Sequence, residues 1–262
     1  MKRLFLIVIP IFLVSCSVSK GQESLNRDLE HQVIATIWFQ SSPEASALYH
    51  QGFNLAKERV VEFSGQKGNK PKAVVVDIDE TMVSNAMFQG KAIERGVAYT
   101  PEFWKEWSDL AIATALPGAL EFTHFCDSLG VEIICISNRT VHEIEATMRN
   151  LDSLGFAFVK PENFLLKETT SGKEERREKV MEKFDIILLL GDNLNDFSDV
   201  FESRSEDWGL SVVEEYKHEF GRRFILFPNP MYGEWEKNIY GKEKNLSNDK
   251  MFKKRRAALR SY

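Results

Sequence analysis

The sequence predicts an α/β fold, a doubly wound parallel sheet with a small helical cap, on three observations. Four short apolar runs, "AVVVDID" at 73–79, "VEIICIS" at 131–137, "DIILLLGD" at 185–192 and "FILFPNP" at 224–230, are continuous rather than alternating. That pattern suits strands covered on both faces. Helical patterns at 141–154 and 173–183 lie between them, the alternation that parallel strands and their crossovers require. Three of the runs end in polar clusters: Asp77-Ile78-Asp79, Ser137-Asn138-Arg139 and Gly191-Asp192-Asn193. In an open α/β sheet, ligands bind beyond the carboxyl ends of the strands, so the three clusters are expected to face one crevice.

From the amino terminus, Lys2 and Arg3 precede an apolar stretch, Leu4 to Val14. This has the length of an export signal and is too short for a stable bilayer span. It ends in "LVSC" at 13–16, which resembles a bacterial lipobox. Residues 1–15 are therefore read as a signal peptide and Cys16 as the lipidated first residue of the mature chain. Ser17 after it favours the outer membrane, so the expected location is a lipid anchor there or elsewhere on the cell envelope, periplasmic or surface-exposed. Residues 16–25, small and polar, form a tether.

Residues 26–262 are read as one unit, with an α/β core at about 70–85 and 116–230. The cap is drawn from about 26–66, 86–115 and 231–262. The first of these reads as helical from 26 to 64, with no Pro or Gly cluster before Gly65. "FAFV" at 156–159 is a candidate additional strand. Residues 86–116 carry Phe88, Tyr99, Phe103, Trp104 and Trp107, and the tail carries Tyr232, Trp235 and Tyr240. These aromatics are expected to roof the crevice.

A net charge of −5 and a pI of about 5.7 argue against a nucleic acid polymer as partner, which needs a basic face. The terminal "KKRRAALR" at 253–260 reads as a solvated end. Cys135 sits in an apolar run and reads as buried, Cys126 lies in a helical pattern, and a disulfide between them stays open. Neither has zinc-ligand spacing with a histidine.

Two carboxylates two residues apart beyond a buried strand suggest a division of labour. Asp77 can attack phosphorus as a nucleophile and form an aspartyl-phosphate. Asp79 can give a proton to the leaving oxygen and later take one from water. Mg²⁺ takes one or two carboxylates, waters and phosphate oxygens, and Asp192 can supply the second carboxylate. Ser137 and Asn138, expected where a loop opens a helix, can offer donors to an anion. Lys173, after "TTSG", can meet the phosphate as a point charge.

Together these residues resemble the haloacid dehalogenase superfamily of phosphohydrolases. More closely, the chain resembles the class C nonspecific acid phosphatases, which include the lipoprotein e type of 5′-nucleotidase. "WFQSSPEASALYHQGFNLAK" at 38–57, "DIDETMVSN" at 77–85, "PGALEF" at 117–122, "SNR" at 137–139, "SGKEERR" at 171–177, "GDNLNDF" at 191–197 and "PNPMYGEWE" at 228–236 carry the resemblance. It implies a haloacid dehalogenase-like fold and a Mg²⁺-dependent acid phosphomonoesterase acting on nucleoside 5′-monophosphates and other small phosphomonoesters. Asp77 is then the nucleophile and Asp79 the acid and base. The metal is held by Asp77, the carbonyl of Asp79, and Asp192. Asp196 supports the metal or Lys173, while Ser137, Asn138 and Lys173 bind the phosphoryl group. The base stacks on Tyr232, with Tyr99 or Trp104 opposite. The need for a protonated Asp79 predicts an acidic to near-neutral optimum. Two alternatives stay open: phosphotransfer to an alcohol on the same site, and a non-catalytic ligand-binding surface lipoprotein. The sequence also leaves a homodimer open.

Overall fold

The computed structural model describes residues 29–202, 204, 207–241, 243 and 246–262. The signal peptide, the tether and Cys16 lie outside them. No described helix is long and apolar enough to cross a membrane.

The chain opens with α1 (Val33–Ser41) and α2 (Pro43–Ser64). The expected single helix is broken at Ser42, whose side chain accepts from the backbone N–H groups of Glu44 and Ala45 at 3.1 and 3.3 Å. Pro43 occupies the first turn of α2, where its missing N–H costs nothing, whereas inside a continuous helix it would remove a hydrogen bond. The strand β1 (Lys72–Val76) follows, then β2 (Val83–Ser84), α3 (Ala86–Arg95), α4 (Pro101–Leu110) and β3 (Thr114–Ala115). Next come α5 (Ala119–Ser128), β4 (Glu132–Thr140), α6 (Ile144–Leu154), β5 (Phe164–Lys167), α7 (Glu174–Lys183) and β6 (Asp185–Gly191). The chain closes with α8 (Leu210–Glu215), β7 (Phe224–Leu226), α9 (Glu234–Tyr240) and α10 (Asn248–Ala257).

Five strands form one sheet in the order β5-β4-β1-β6-β7, with every neighbouring pair parallel. The chain winds outward from β1 to β5, then returns across the sheet to β6. That reversal beside β1 is the topological switch point where doubly wound sheets open a crevice. Alternate residues of β1 serve opposite faces. Val74 and Val76 pack with Phe53 and Val60 of α2 and Phe122 of α5, while Ala73 and Val75 pack with Val180 of α7.

Two further expectations are corrected. "FAFV" at 156–159 is not a strand; the edge strand is β5, a few residues on. Gly155 ends α6 in the left-handed region, at φ +85°. Phe156 and Phe158 then bury from a turn whose Phe158 carbonyl accepts from the Asn163 side chain at 3.1 Å. Second, α2 packs on the sheet beside α5 rather than over the crevice. Only the segment before it stays with the cap, through α1 against α3.

The cap insert leaves and re-enters the core through a short antiparallel ribbon, β2 with β3. Its helices α3 and α4 meet through Phe88, Phe103 and Trp104. Cys126 and Cys135 are both buried as free thiols.

Candidate active site

The carboxyl ends of β1, β4 and β6 open into a cavity of about 870 Å³, within the range of small-molecule sites. Asp77, Asp79, Tyr99, Trp104, Ser137, Asn138, Lys173, Asp192, Asp196 and Tyr232 all line it. These candidates therefore face one space, and Cys16 lies outside the described residues; of the aromatics expected to roof the crevice, Phe103, Trp107 and Trp235 do not line it, the first two being buried among the core residues.

Beyond β1 the backbone turns tightly. The carbonyl of Ile78 accepts from the N–H groups of Met82 and Val83 at 2.9 and 3.1 Å. Glu80 takes a left-handed conformation, φ +56°, uncommon for a residue with a side chain. Tyr49 of α2 pins this loop, its hydroxyl 2.5 Å from the Glu80 carbonyl and 3.2 Å from that of Pro228. The core helix thus fixes the distance between the ends of β1 and β7.

Lys173 is buried between two carboxylates, its Nζ 2.5 Å from Asp77 Oδ1 and 2.6 Å from Asp196 Oδ1. Burial alone would lower its pKa, but Asp196 and Asp77 outweigh that and hold it charged. Asp196 also accepts from the backbone N–H of Asn193 at 2.9 Å. Gly191 makes room for this carboxylate, since a Cβ there would lie 2.3 Å from Asp196 Oδ2. Burial raises the Asp77 carboxyl to about 7, against the pull of Lys173 and with the repulsion of Asp196 and Asp79. Asp192 is also raised, by burial and then by Asp196 and Asp77.

This crowding of carboxylates is what a divalent cation would relieve. Among the described residues no three His, Cys, Asp or Glu side chains form a metal cage. Hard divalent cations need only one or two carboxylates with waters and substrate oxygens, and Asp77 and Asp192, which repel each other at the cavity, fit such an ion. Asn229, just past β7, donates to Asp192 Oδ2 at 2.8 Å.

Ser137 and Asn138 do not sit at a loop that opens a helix, as expected. They lie within β4, which runs to Thr140 and shifts register against β5 between Ser137 and Thr140. Arg176 buttresses this strand end, donating to the Ser137 carbonyl at 2.6 Å and to Asn138 Oδ1 at 2.8 Å. It also donates to the Gly172 carbonyl at 3.0 Å, and Arg177 donates to the Asp196 carbonyl at 3.1 Å. Two neighbouring arginines thereby knit three strand ends together. Their signal was legible, because cations in the first turn of a helix oppose its dipole and so point to partners elsewhere.

Arg139 was expected at the crevice but given no role, and Asn85 and Asn229 were not singled out. Arg139 is buried and grips Asp79, Nη2 to Oδ1 at 2.7 Å and Nε to Oδ1 and Oδ2 at 3.1 and 3.2 Å. Asn85 donates to Asp79 Oδ1 at 2.8 Å. Nothing in local spacing couples Arg139 or Asn85 to Asp79, or Asn229 to Asp192.

Of the candidate stacking aromatics, Tyr99 is 62% exposed, its ring 6.2 Å from that of Trp104. Trp104 donates from Nε1 to Glu143 at 2.6 Å, and the Arg139 guanidinium lies 5.6 Å from its ring centre. The backbone of Tyr232 donates to Asn229 Oδ1 at 3.4 Å.

The chain matches the family described as HAD superfamily, subfamily IIIB (acid phosphatase), over residues 14–235. Its structure is similar to that of the class C acid phosphatase from Bacillus anthracis, with 36% identity and a TM-score of 0.86 over 90% of this chain and 99% of that one. A structure of the class C acid phosphatase from Bacillus anthracis with tungstate bound gives 37% identity and a TM-score of 0.85, over 89% and 98%. Two Glycine max proteins, the stem 28 kDa and stem 31 kDa glycoproteins, are each 28% identical over 132 residues, 47% of this chain. The chain spans about half the length of these curated relatives, 51% and 44%.

Proposed function

Because the chain belongs to the acid phosphatases of HAD subfamily IIIB, we propose that it is a Mg²⁺-dependent phosphomonoesterase that hydrolyses nucleoside 5′-monophosphates and related small phosphomonoesters. One observation carries this reading. Asp77 and Asp79 beyond β1, Asp192 beyond β6 and Lys173 at the start of α7 converge on a single cavity.

In this reading the phosphorus lies opposite Asp77, its oxygens held by Lys173, Ser137 and Asn138. A carboxylate oxygen of Asp77 forms a bond to phosphorus as the ester P–O bond breaks, and Asp79 delivers a proton to the departing alkoxide. Asp79 then takes a proton from water as the water attacks phosphorus, releasing inorganic phosphate and restoring Asp77. Mg²⁺, held by Asp77, the Asp79 carbonyl and Asp192, would offset the repulsion between the anionic nucleophile and the anionic phosphoryl group. Tyr232 stacks on the base, with Trp104 or Tyr99 opposite, and stacking tolerates different bases. That the structure of the Bacillus anthracis enzyme contains tungstate, an oxyanion like phosphate, supports an anion site. The "LVSC" segment supports a lipid anchor at Cys16 and a place on the bacterial envelope.

The test is phosphate release from 5′-AMP with Mg²⁺ at pH 6, beside Asp77→Asn. Turnover that vanishes in the variant is the expected result. Absence of turnover on this and other phosphomonoesters by the unaltered chain would reject the assignment.

A further inference from the structure

Asp79 is held unevenly. Its Oδ1 receives Arg139 Nη2 at 2.7 Å, Asn85 Nδ2 at 2.8 Å and Arg139 Nε at 3.1 Å, while Oδ2, among the described residues, receives a shared 3.2 Å contact from that Nε alone. Donors stabilise negative charge on the oxygen they reach. Both donors are themselves set by the cap helix α4. Trp107 donates from Nε1 to Asn85 Oδ1 at 2.8 Å. An amide whose oxygen is so engaged must turn its NH₂ the other way, here toward Asp79. The Arg139 guanidinium lies 5.6 Å from the Trp104 ring centre and donates to Thr147 at 3.1 Å.

A buried arginine is a costly choice for a strand end unless its planar fork is used. The Arg139 side chain is 3% exposed, and its fork meets the one carboxylate that must transfer a proton. We propose, on the phosphomonoesterase reading above, that α4 orients Asp79 through Trp107–Asn85 and Trp104–Arg139. Oδ1 is tied down as the accepting oxygen, the carbonyl oxygen of the acid form, which leaves Oδ2 as the oxygen that carries the proton to the leaving group and takes one back from water. Arg139 and Asn85 are positioning residues: they act through Asp79. The cap is then part of the catalytic apparatus as well as a roof over the substrate. The Trp104 ring that faces the cavity also braces the arginine that aims the acid.

The readout is leaving-group dependence, which a merely structural role would not change. The full chain and the variants Arg139→Lys and Trp107→Phe are assayed on aryl phosphates whose phenols range from strongly to weakly acidic. The quantity compared is kcat/KM, which contains only the steps up to leaving-group departure. Positioned proton transfer contributes roughly 10²–10⁴-fold. Arg139→Lys should therefore lose on the order of a hundredfold on the least acidic phenol and less than about threefold on the most acidic. Trp107→Phe, which removes a single N–H, should show the same tilt at about tenfold. An equal loss on every ester would overturn the proposal, as would unchanged slopes in both variants. If Arg139→Lys does not fold by circular dichroism, the slope of Trp107→Phe decides. An inactive unaltered chain would overturn the phosphatase reading itself, an outcome distinct from a flat slope.

Discussion

Lys173 Nζ lies 2.5 Å from Asp77 Oδ1, a pair that joins residues 96 apart in the chain, both side chains almost wholly buried. With Asp196 on its other side, this lysine is the charge that lets the carboxylates share a buried corner of the cavity. Removing one partner of such a group leaves uncompensated buried charge, at a cost of about 3–5 kcal/mol.

Lys173→Met should therefore be less stable by about that amount near pH 8 without divalent cations. The deficit should shrink as pH falls, because Asp77, already raised to about 7, takes up a proton and the repulsion fades. Denaturant unfolding at pH 5.5 and 8 checks this, and an equal deficit at both would count against the ion triad.

Glu80 is a second buried carboxyl whose pKa folding raises. It is fully buried, and burial first, then Asp79 and Asp192, raise its pKa well above the usual carboxylate value, while hydrogen bonds from Asn85 pull it down. A raised folded-state pKa means that folding takes up a proton, so stability falls as pH rises above the unfolded value. In Glu80→Gln that contribution disappears. Its unfolding midpoint, compared with the unaltered chain without divalent cations, should gain ground from pH 5 to pH 8. Parallel pH profiles would show that Glu80 does not bind the proton.

Asn229 connects two parts of the site. Its Nδ2 donates to Asp192 at 2.8 Å, and its Oδ1 accepts from the backbone of Met231 at 3.0 Å and of Tyr232. Groups that orient metal ligands are worth roughly 10–100-fold in metal affinity. Titration calorimetry of Asn229→Ala with Mg²⁺ should show a loss in that range. Unaltered affinity would argue against Asp192 as a ligand.

Tyr232→Ala separates base recognition from phosphate chemistry. Stacking is worth about 1–3 kcal/mol per base, so kcat/KM for 5′-AMP should fall by roughly tenfold or more. Glycerol phosphate, which has no base, should be nearly unaffected. Equal losses on both would assign Tyr232 to packing.

How much of this was legible in the sequence depends on the range over which each feature is encoded. Continuous apolar runs marked β1, β4, β6 and β7, because burial on both faces demands apolar residues at consecutive positions. Carboxylates at a strand end had no packing role, so Asp77, Asp79 and Asp192 stood out without a fold in hand. The break at Ser42 was written locally too, as a capping residue before a proline, and only the longer helical pattern obscured it. "FAFV" misled because apolar character reports burial and not backbone shape. Phe156 and Phe158 bury equally well from a turn.

The sequence by itself determined the layered α/β architecture, the strand ends that face the cavity and the chemical groups placed there. Each of these is a local property, set by periodicity, by the apolar run and by the polar residues at its end. Only the tertiary structure decided that α2 lies on the sheet, that Arg139 and Asn85 close on Asp79, and that Asn229 holds Asp192. A buried polar group must find a partner, but chain spacing does not say which one. That choice is made where strands and helices distant in sequence converge, and in this protein it decides how Asp79, Lys173 and Asp192 are aimed.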